Sequence, residues 1–315
     1  MSGEPYPARV FIQEVVTRDG LQIEPRFVPT ADKIALIDAL SDTGVAKIEV
    51  TSFVSPKAVP NLADAAEVAR AIRRRPGVTY VALVPNLRGA EAALAADLDE
   101  LNLVMSVSAT HNLANMRLTP DQSLEGFRAI VAAARGTRAR LNGSIATAFG
   151  CPFEGAQPAE KVLGLAAAYL DADLDSITLA DTTGMANPRQ VADLVAAFRA
   201  RFGAVPLTLH FHNTRGMGLA NVLAALGQGA DRFDASLGGL GGCPFAPGAT
   251  GNISTEDLVH MLEEMGVATG VDLGRLLELA RGLPDLLGHD IPGQVAKAGR
   301  SGDLHPAPAS LRAAS

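Results

Sequence analysis

The sequence predicts an α/β protein, a closed (β/α)8 TIM barrel with additional C-terminal helices, on three observations. Short β-rich runs alternate with longer helical patterns, eight such units can be counted, and no GxGxxG follows the first strand. The alternation is the pattern of βα units around a parallel sheet. Eight units suit a closed barrel, and the missing glycine fingerprint weakens the alternative, an open doubly wound sheet.

The strands are expected at residues 9–15, 46–51, 79–84, 100–105, 140–147, 176–180, 206–212 and 232–237. The first helix is expected to start with Thr30 as its cap, to bury Ile34, Ile37 and Leu40, and to end at Gly44. The run RAIRRRPG at 70–77 reads as a solvated helix end. After the sixth strand Asn187 caps a helix, Pro188 takes its first position, and Val191, Leu194, Val195 and Phe198 share one face. Gly203 terminates it. Segments 255–265 and 272–287 read as further helices beyond the eighth strand. Residues 1–292 therefore form one catalytic domain, and the stretch 293–315, rich in Ala, Gly, Pro and Ser, is expected to be a loosely ordered tail.

Composition narrows the function. In 315 residues, 48% are hydrophobic and 19% charged, enough apolar surface to offset ordering entropy. A net charge of -7 without basic clusters argues against nucleic acid, which requires concentrated Lys and Arg. With two cysteines, Cys151 and Cys243, there is no disulfide framework, and a reducing compartment fits. No basic-then-apolar leader and no apolar run of roughly 20 residues occur, so a cytoplasmic protein without a membrane span is expected. A homodimer is the usual expectation for a barrel of this kind.

The seventh strand carries the chemistry. In Leu207-Thr-Leu-His210-Phe-His212 alternate side chains share a face, so the apolar residues pack against helices and both histidines point into the barrel near its C-terminal mouth. Two imidazoles confined there are costly unless paired or metal-bound. In the second strand Ile48 and Val50 face one way, and Lys47, Glu49 and Thr51 the other. Glu49 is thus either an interior functional carboxylate or half of an ion pair with Lys47 or an arginine. The first strand ends in Thr17-Arg18-Asp19-Gly20, bringing a cation and a carboxylate to the same mouth, although such a string is also a common turn. Glycine-rich residues 238–252 read as a mobile lid. Within it Cys243 is a reactive thiol or an ordinary loop cysteine, and Asn252 a neutral oxygen ligand or a helix cap. Asp19, His210 and His212 are the metal candidates. Mixed nitrogen and oxygen ligands suit Mg²⁺, Mn²⁺ or Co²⁺ better than a structural zinc site.

These residues resemble those of the 3-hydroxy-3-methylglutaryl-CoA lyases, within the wider group of metal-dependent barrel lyases and condensing synthases that includes 2-isopropylmalate synthase. The likeness runs from Arg18-Asp-Gly-Leu-Gln22 through Glu49, Thr51-Ser-Phe-Val-Ser-Pro-Lys57, Val84-Pro-Asn86, Gly150-Cys-Pro-Phe-Glu-Gly155, Asp181-Thr182 and His210-Phe-His212 to Gly239-Leu-Gly-Gly-Cys-Pro-Phe245 and Gly251-Asn252. It implies Asp19, His210, His212 and Asn252 as ligands to Mg²⁺ or Mn²⁺, with Co²⁺ also compatible. It implies Arg18, Asp19 and Glu49 as catalytic residues, Cys243 as a lid cysteine assisting proton transfer, and Gln22, Ser52, Asp181 and Thr182 as substrate-binding residues.

The reaction implied is retro-Claisen cleavage of a 3-hydroxyacyl-CoA. A base takes the 3-hydroxyl proton, the alkoxide collapses, and the acetyl-CoA enolate leaves with its charge near Arg18. Glu49 or Cys243 then protonates the enolate carbon. Two features depart from the lyase pattern: Asn213 stands where the lyases carry Asp, as in the condensing synthases, and segment 106–119 differs at the mouth. The second admits a larger or differently branched acyl group, with His111 read as a surface histidine or, alternatively, as a contact to substrate. The alternatives are a transferase condensing acetyl-CoA with an α-keto acid, and a non-catalytic metal-binding barrel.

Overall fold

In the computed structural model, which describes residues 6–242, 251–304 and 306, the chain closes into a parallel barrel in sequence order. The strands are β1 (Phe11–Glu14), β2 (Lys47–Ser52), β3 (Thr79–Val84), β4 (Glu100–Ser106), β5 (Arg140–Ala146), β6 (Ser176–Asp181), β7 (Leu207–Phe211) and β8 (Arg232–Ala235). Every expected strand is present, and β8 pairs back onto β1 through Phe11–Arg232 and Glu14–Ala235. The helices are α1 (Thr30–Ser41), α2 (Ala65–Ala71), α3 (Leu87–Ala95), α4 (Ala109–Met116), α5 (Pro120–Ala134), α6 (Ala159–Asp171), α7 (Pro188–Phe202), α8 (Gly218–Leu226), α9 (Thr255–Glu264), α10 (Leu273–Leu287) and the short α11 (Val295–Ala298). No described helix is long and apolar enough to cross a membrane.

Strand alternation decides what goes where. Ile12, Ile48, Leu101, Leu103, Ile177, Leu179, Leu207 and Leu209 are buried in one apolar cluster with Ile37, Phe127, Ile130, Tyr169, Val195 and Phe198 of the helices. The opposite faces meet inside the barrel as a hydrogen-bonded polar network. Gln13 Nε2 donates to Thr208 Oγ1 at 3.1 Å, and Asn142 Nδ2 to Asn102 Oδ1 at 2.9 Å and Thr178 Oγ1 at 3.0 Å. In β2 the alternation holds only through Glu49, because the register slips between Glu49 and Thr51. That bulge turns the strand end at the barrel rim, where bulges commonly re-aim side chains.

Helix ends follow local chemistry, with one correction. Asn187 caps α7 by accepting from Gln190 N at 3.0 Å, and Gly203 follows its last turn at φ 58°. At α1 Pro29, not Thr30, occupies the cap position. The Thr30 hydroxyl is drawn away, donating to Asp64 Oδ2 at 2.8 Å beside the buried Lys33 ammonium, itself 2.9 Å from Asp64. The arginine run after α2 is largely exposed, with Arg73 paired to Asp38 and Arg75 to Asp42. Within the tail expected to be loosely ordered, residues 293–304 instead hold defined structure. The Asp257 carboxylate accepts from the amides of Gln294 and Val295 at 2.9 and 2.7 Å and starts α11.

Candidate active site

Three elements deliver the central side chains. Beyond β1 the chain makes a single π-helical turn, Val16–Gly20, that carries Arg18 and Asp19. Such turns are frequent at functional sites. Gly20 lets this turn sit against the end of β8, since a Cβ there would lie 2.9 Å from Val16 Cγ2 and 3.0 Å from Ser236 Oγ. His210 lies in β7, and His212 just past it, where residue 212 bridges to Asn252. The two Nε2 atoms face each other at 3.1 Å, and His212 Nε2 is 3.8 Å from Asp19 Oδ2. Ligand atoms of Asp19, His210 and His212 all fall within 4.8 Å of one another, and all three residues are buried.

This donor set fits a divalent cation. Two imidazole nitrogens aimed at each other beside a carboxylate put three lone-pair donors around one point, which a shared cation resolves. Asn252 Nδ2 donates to Asp19 Oδ2 at 2.6 Å and to Leu240 O at 2.9 Å. Its Oδ1 is a buried acceptor with no partner among the described residues. The helix-cap reading of Asn252 does not hold, because Ser254 caps α9 by accepting from Asp257 N at 3.3 Å.

Electrostatics separate the members of the cluster. Burial pushes the Asp19 carboxyl up, but Arg18, both histidines and the Asn252 bond outweigh it and hold it at about 2. His212 is lowered to about 4 by burial and then by the neighbouring His210. Burial also opposes charge on His210, yet Asp234 and Asp19 raise it. Arg18 stays protonated: burial works against its charge, and Glu49 and Asp19 more than compensate. Its Nε pairs with Glu49, and its Nη1 lies 2.6 Å from Asp19 Oδ1. Glu49 is raised by burial, against the pull of Arg18 and of Asn102, whose Nδ2 donates to it at 2.8 Å.

The structure therefore brings Arg18, Asp19, Glu49, His210, His212 and Asn252 together, and Glu49 both faces inward and forms the arginine ion pair. Ser52 is fully buried at the end of β2 with no partner for Oγ among the described residues. Asp181 Oδ1 accepts from Met185 N at 2.7 Å and Ala186 N at 3.0 Å, shaping the turn into α7. Burial raises its carboxyl to about 6 against these amides. Thr182 Oγ1 accepts from Thr147 N at 3.0 Å. Gln22 is half-buried, and its carbonyl accepts from Asn61 Nδ2 at 3.4 Å. Cys243 lies outside the described residues, as does 243–250 of the glycine-rich segment.

One expectation is corrected. His111 is buried, not superficial: segment 106–119 contains α4, and His111 Nδ1 lies 2.7 Å from Ser106 Oγ with its ring beside Phe153. Asn213, where the lyase pattern has Asp, is exposed, and its Oδ1 accepts from Gly218 N at 3.0 Å at the start of α8. Sequence reasoning also passed over Asp234, 3.1 Å from His210, and Asn102 beside Glu49. The signal was available, since both occupy inward positions of strands whose other face is apolar.

Fold and site define a (β/α)8 barrel with a candidate divalent-metal centre and an arginine–carboxylate pair at its mouth. A family model described as HMGL-like matches residues 9–282, and the chain belongs to this HMGL-like family. It is 46% identical over 290 residues to hydroxymethylglutaryl-CoA lyase YngG of Bacillus subtilis, covering 92% of this chain and 97% of that protein. It is 43% identical over 300 residues to the (R)-citramalyl-CoA lyase of Chloroflexus aurantiacus, covering 92% and 95%. A solved structure of an HMG-CoA lyase from Acinetobacter baumannii in complex with coenzyme A and 3-methylmalate superposes with TM-score 0.94 at 57% identity, covering 98% of this chain and all of that one.

Proposed function

We propose that this chain is an acyl-CoA lyase that cleaves 3-hydroxy-3-methylglutaryl-CoA, or a 3-alkyl analogue, to acetyl-CoA and acetoacetate or the matching 3-keto acid. The observation that carries the reading is the contact of the Arg18–Glu49 pair with a buried Asp19, His210 and His212 cluster, in a chain so similar to lyases of this name. Mg²⁺ or Mn²⁺, with Co²⁺ compatible, is the proposed ion, held by Asp19, His210, His212 and the Asn252 carbonyl oxygen. When bound, it lowers the pKa of a chelated hydroxyl and polarises carboxylate oxygens.

The chain's own residues supply the rest. Arg18, kept charged and oriented by two carboxylates, stands where negative charge develops on the thioester oxygen as the carbon–carbon bond breaks. Its geometry is fixed before the reaction, so little reorganisation is needed. A base takes the 3-hydroxyl proton, the oxygen electrons form the new carbonyl as the carbon–carbon bond breaks, the bond electrons pass into the enolate, and a proton must then reach its terminal carbon. Glu49, which lies against Arg18 and Asn102 beside the cluster, is one donor candidate once it has taken up a proton. Cys243 is the other. The proposal includes Gln22, Ser52, Asp181 and Thr182 as substrate-binding residues, a cytoplasmic location and a homodimer.

A second reading, cleavage of a citramalyl-CoA, is favoured by the 43% identical relative of that name. The relatives named above are lyases, which supports cleavage over the transferase reading. The decisive experiment incubates metal-stripped protein with each thioester, with and without added Mg²⁺ or Mn²⁺, and follows acetyl-CoA. Release that requires the ion supports the lyase, and the preferred thioester selects the substrate. Absence of release from both refutes the assignment.

A further inference from the structure

The two histidines of the cluster are not equivalent. His210 and Asp234 are register partners on adjacent strands β7 and β8, so the fold sets them side by side. Asp234 Oδ2 lies 3.1 Å from His210 Nδ1. An ionised carboxylate can only accept, so this contact puts the hydrogen on Nδ1 and leaves the Nε2 lone pair directed toward His212 and Asp19. His212 has no such support: its Nδ1 is buried without a partner among the described residues. Asp234 also pairs in register with Gln13 of β1, whose side chain is held by Thr208, so the carboxylate sits in a packed polar layer.

We propose that Asp234 is a positioning residue that fixes the tautomer and ring orientation of His210, so that Nε2 is presented to a divalent cation. The inference rests on the metal-centre part of the proposed function. Carboxylates that accept from a ligating imidazole commonly contribute 10–100-fold to metal affinity. Asp234 acts on Nδ1, the ring nitrogen across from the Nε2 that faces His212.

The test is Mn²⁺ affinity of the metal-stripped full chain, measured by electron paramagnetic resonance of unbound Mn²⁺ and by calorimetry. Four proteins are compared: wild type, D234N, D234A and Q13A. Asn keeps a carbonyl acceptor but loses the charge, so D234N is expected to weaken Mn²⁺ binding about 10-fold, and D234A by up to about 100-fold. Q13A disturbs the same interior layer without touching a ligand and is expected to stay within about twofold of wild type. Should D234A fail to fold, D234N alone decides. Affinities of the folded Asp234 variants within twofold of wild type overturn the proposal, as does a Q13A loss equal to theirs. A wild-type chain that takes up no Mn²⁺ overturns the metal centre itself, and Asp234's role with it.

Discussion

Glu14 offers a sharp test of how the barrel is fastened at its mouth. It is completely buried at the end of β1, and one carboxylate oxygen accepts from Val16 N at 2.8 Å and from Leu237 N at 3.0 Å. The other accepts from Thr255 Oγ1 at 2.7 Å. The side chain thus ties the strand that leads to Asp19 to the segment after β8 and to α9. Glu256 lies close by and accepts from Gly238 N at 3.0 Å. Burial raises Glu14 from 4.5 to about 7 against its three hydrogen bonds, and Glu256 likewise to about 7. A carboxyl raised in the folded state stabilises fully below its unfolded pKa and loses that contribution as pH rises through the folded value. The gap from 4.5 to about 7 is worth about 3 kcal/mol at roughly 1.4 kcal/mol per pH unit. Glu14→Gln keeps the oxygen that serves both amides and offers Nε2 to the Thr255 hydroxyl, so it preserves the joint and removes the titration. Unfolding free energies from urea titrations at pH 5 and pH 8, at one fixed metal concentration, should show wild type losing about 2.5 kcal/mol more than the variant, since a little of the effect is already lost at pH 5. Glu14→Ala instead leaves two buried amides unpaired and should cost about 2–6 kcal/mol at both pH values. A Glu14→Gln protein with the wild-type dependence on pH would refute the argument.

Two glycines give further tests. At Gly241, φ is 106° and a Cβ would lie 2.6 Å from Asn252 Nδ2 and 3.1 Å from Asp19 Oδ2. Gly241→Ala should therefore weaken Mn²⁺ binding by about 10-fold or more, read by the same titration as for Asp234, and unchanged affinity would contradict the close packing. At Gly143 a Cβ would fall 2.3 Å from Tyr169 Cδ2 and 2.8 Å from Leu174 Cδ2. Tyr169 is fully buried and its hydroxyl donates to Ser144 O at 3.2 Å, so it has little room to retreat. Gly143→Ala should lower stability by about 1–3 kcal/mol and the thermal midpoint by several degrees, with Mn²⁺ affinity retained.

The period-2 pattern of the strands carried most of the fold, because burial on the outer barrel face forces Leu, Ile and Val into alternate positions and leaves polar groups inside. That logic placed His210 and Glu49 correctly. It did not extend to which inward polar groups touch, since contacts such as His210–Asp234 depend on register between strands, which the order of residues along one strand does not encode. The β2 bulge was hidden for the same reason. Thr30 was misplaced as a cap because a preference for Thr at that position says nothing of Asp64, a competitor 34 residues away. His111 was misread because its burial comes from neighbours outside its own helix, Ser106 of β4 and Phe153; the start of α4 is marked by Ser108, which accepts from His111 N at 3.1 Å. The contrast is Thr119-Pro120 with Gln122, where a reciprocal capping box at α5 is visible in the residues themselves.

The barrel interior is lined largely by amides, hydroxyls and charged groups such as the Lys47–Glu100 pair, in place of the stacked aliphatic layers usual for this architecture. Aliphatic layers tolerate small shifts because dispersion forces have no direction, whereas this lattice locks each group to its neighbours by angle as well as distance. A displaced Asn142 would carry Asn102 with it, then Glu49, then the guanidinium of Arg18. Alterations deep in the floor of the barrel are thereby transmitted to its rim, and such sites offer a means of adjusting turnover without touching any group that meets the substrate.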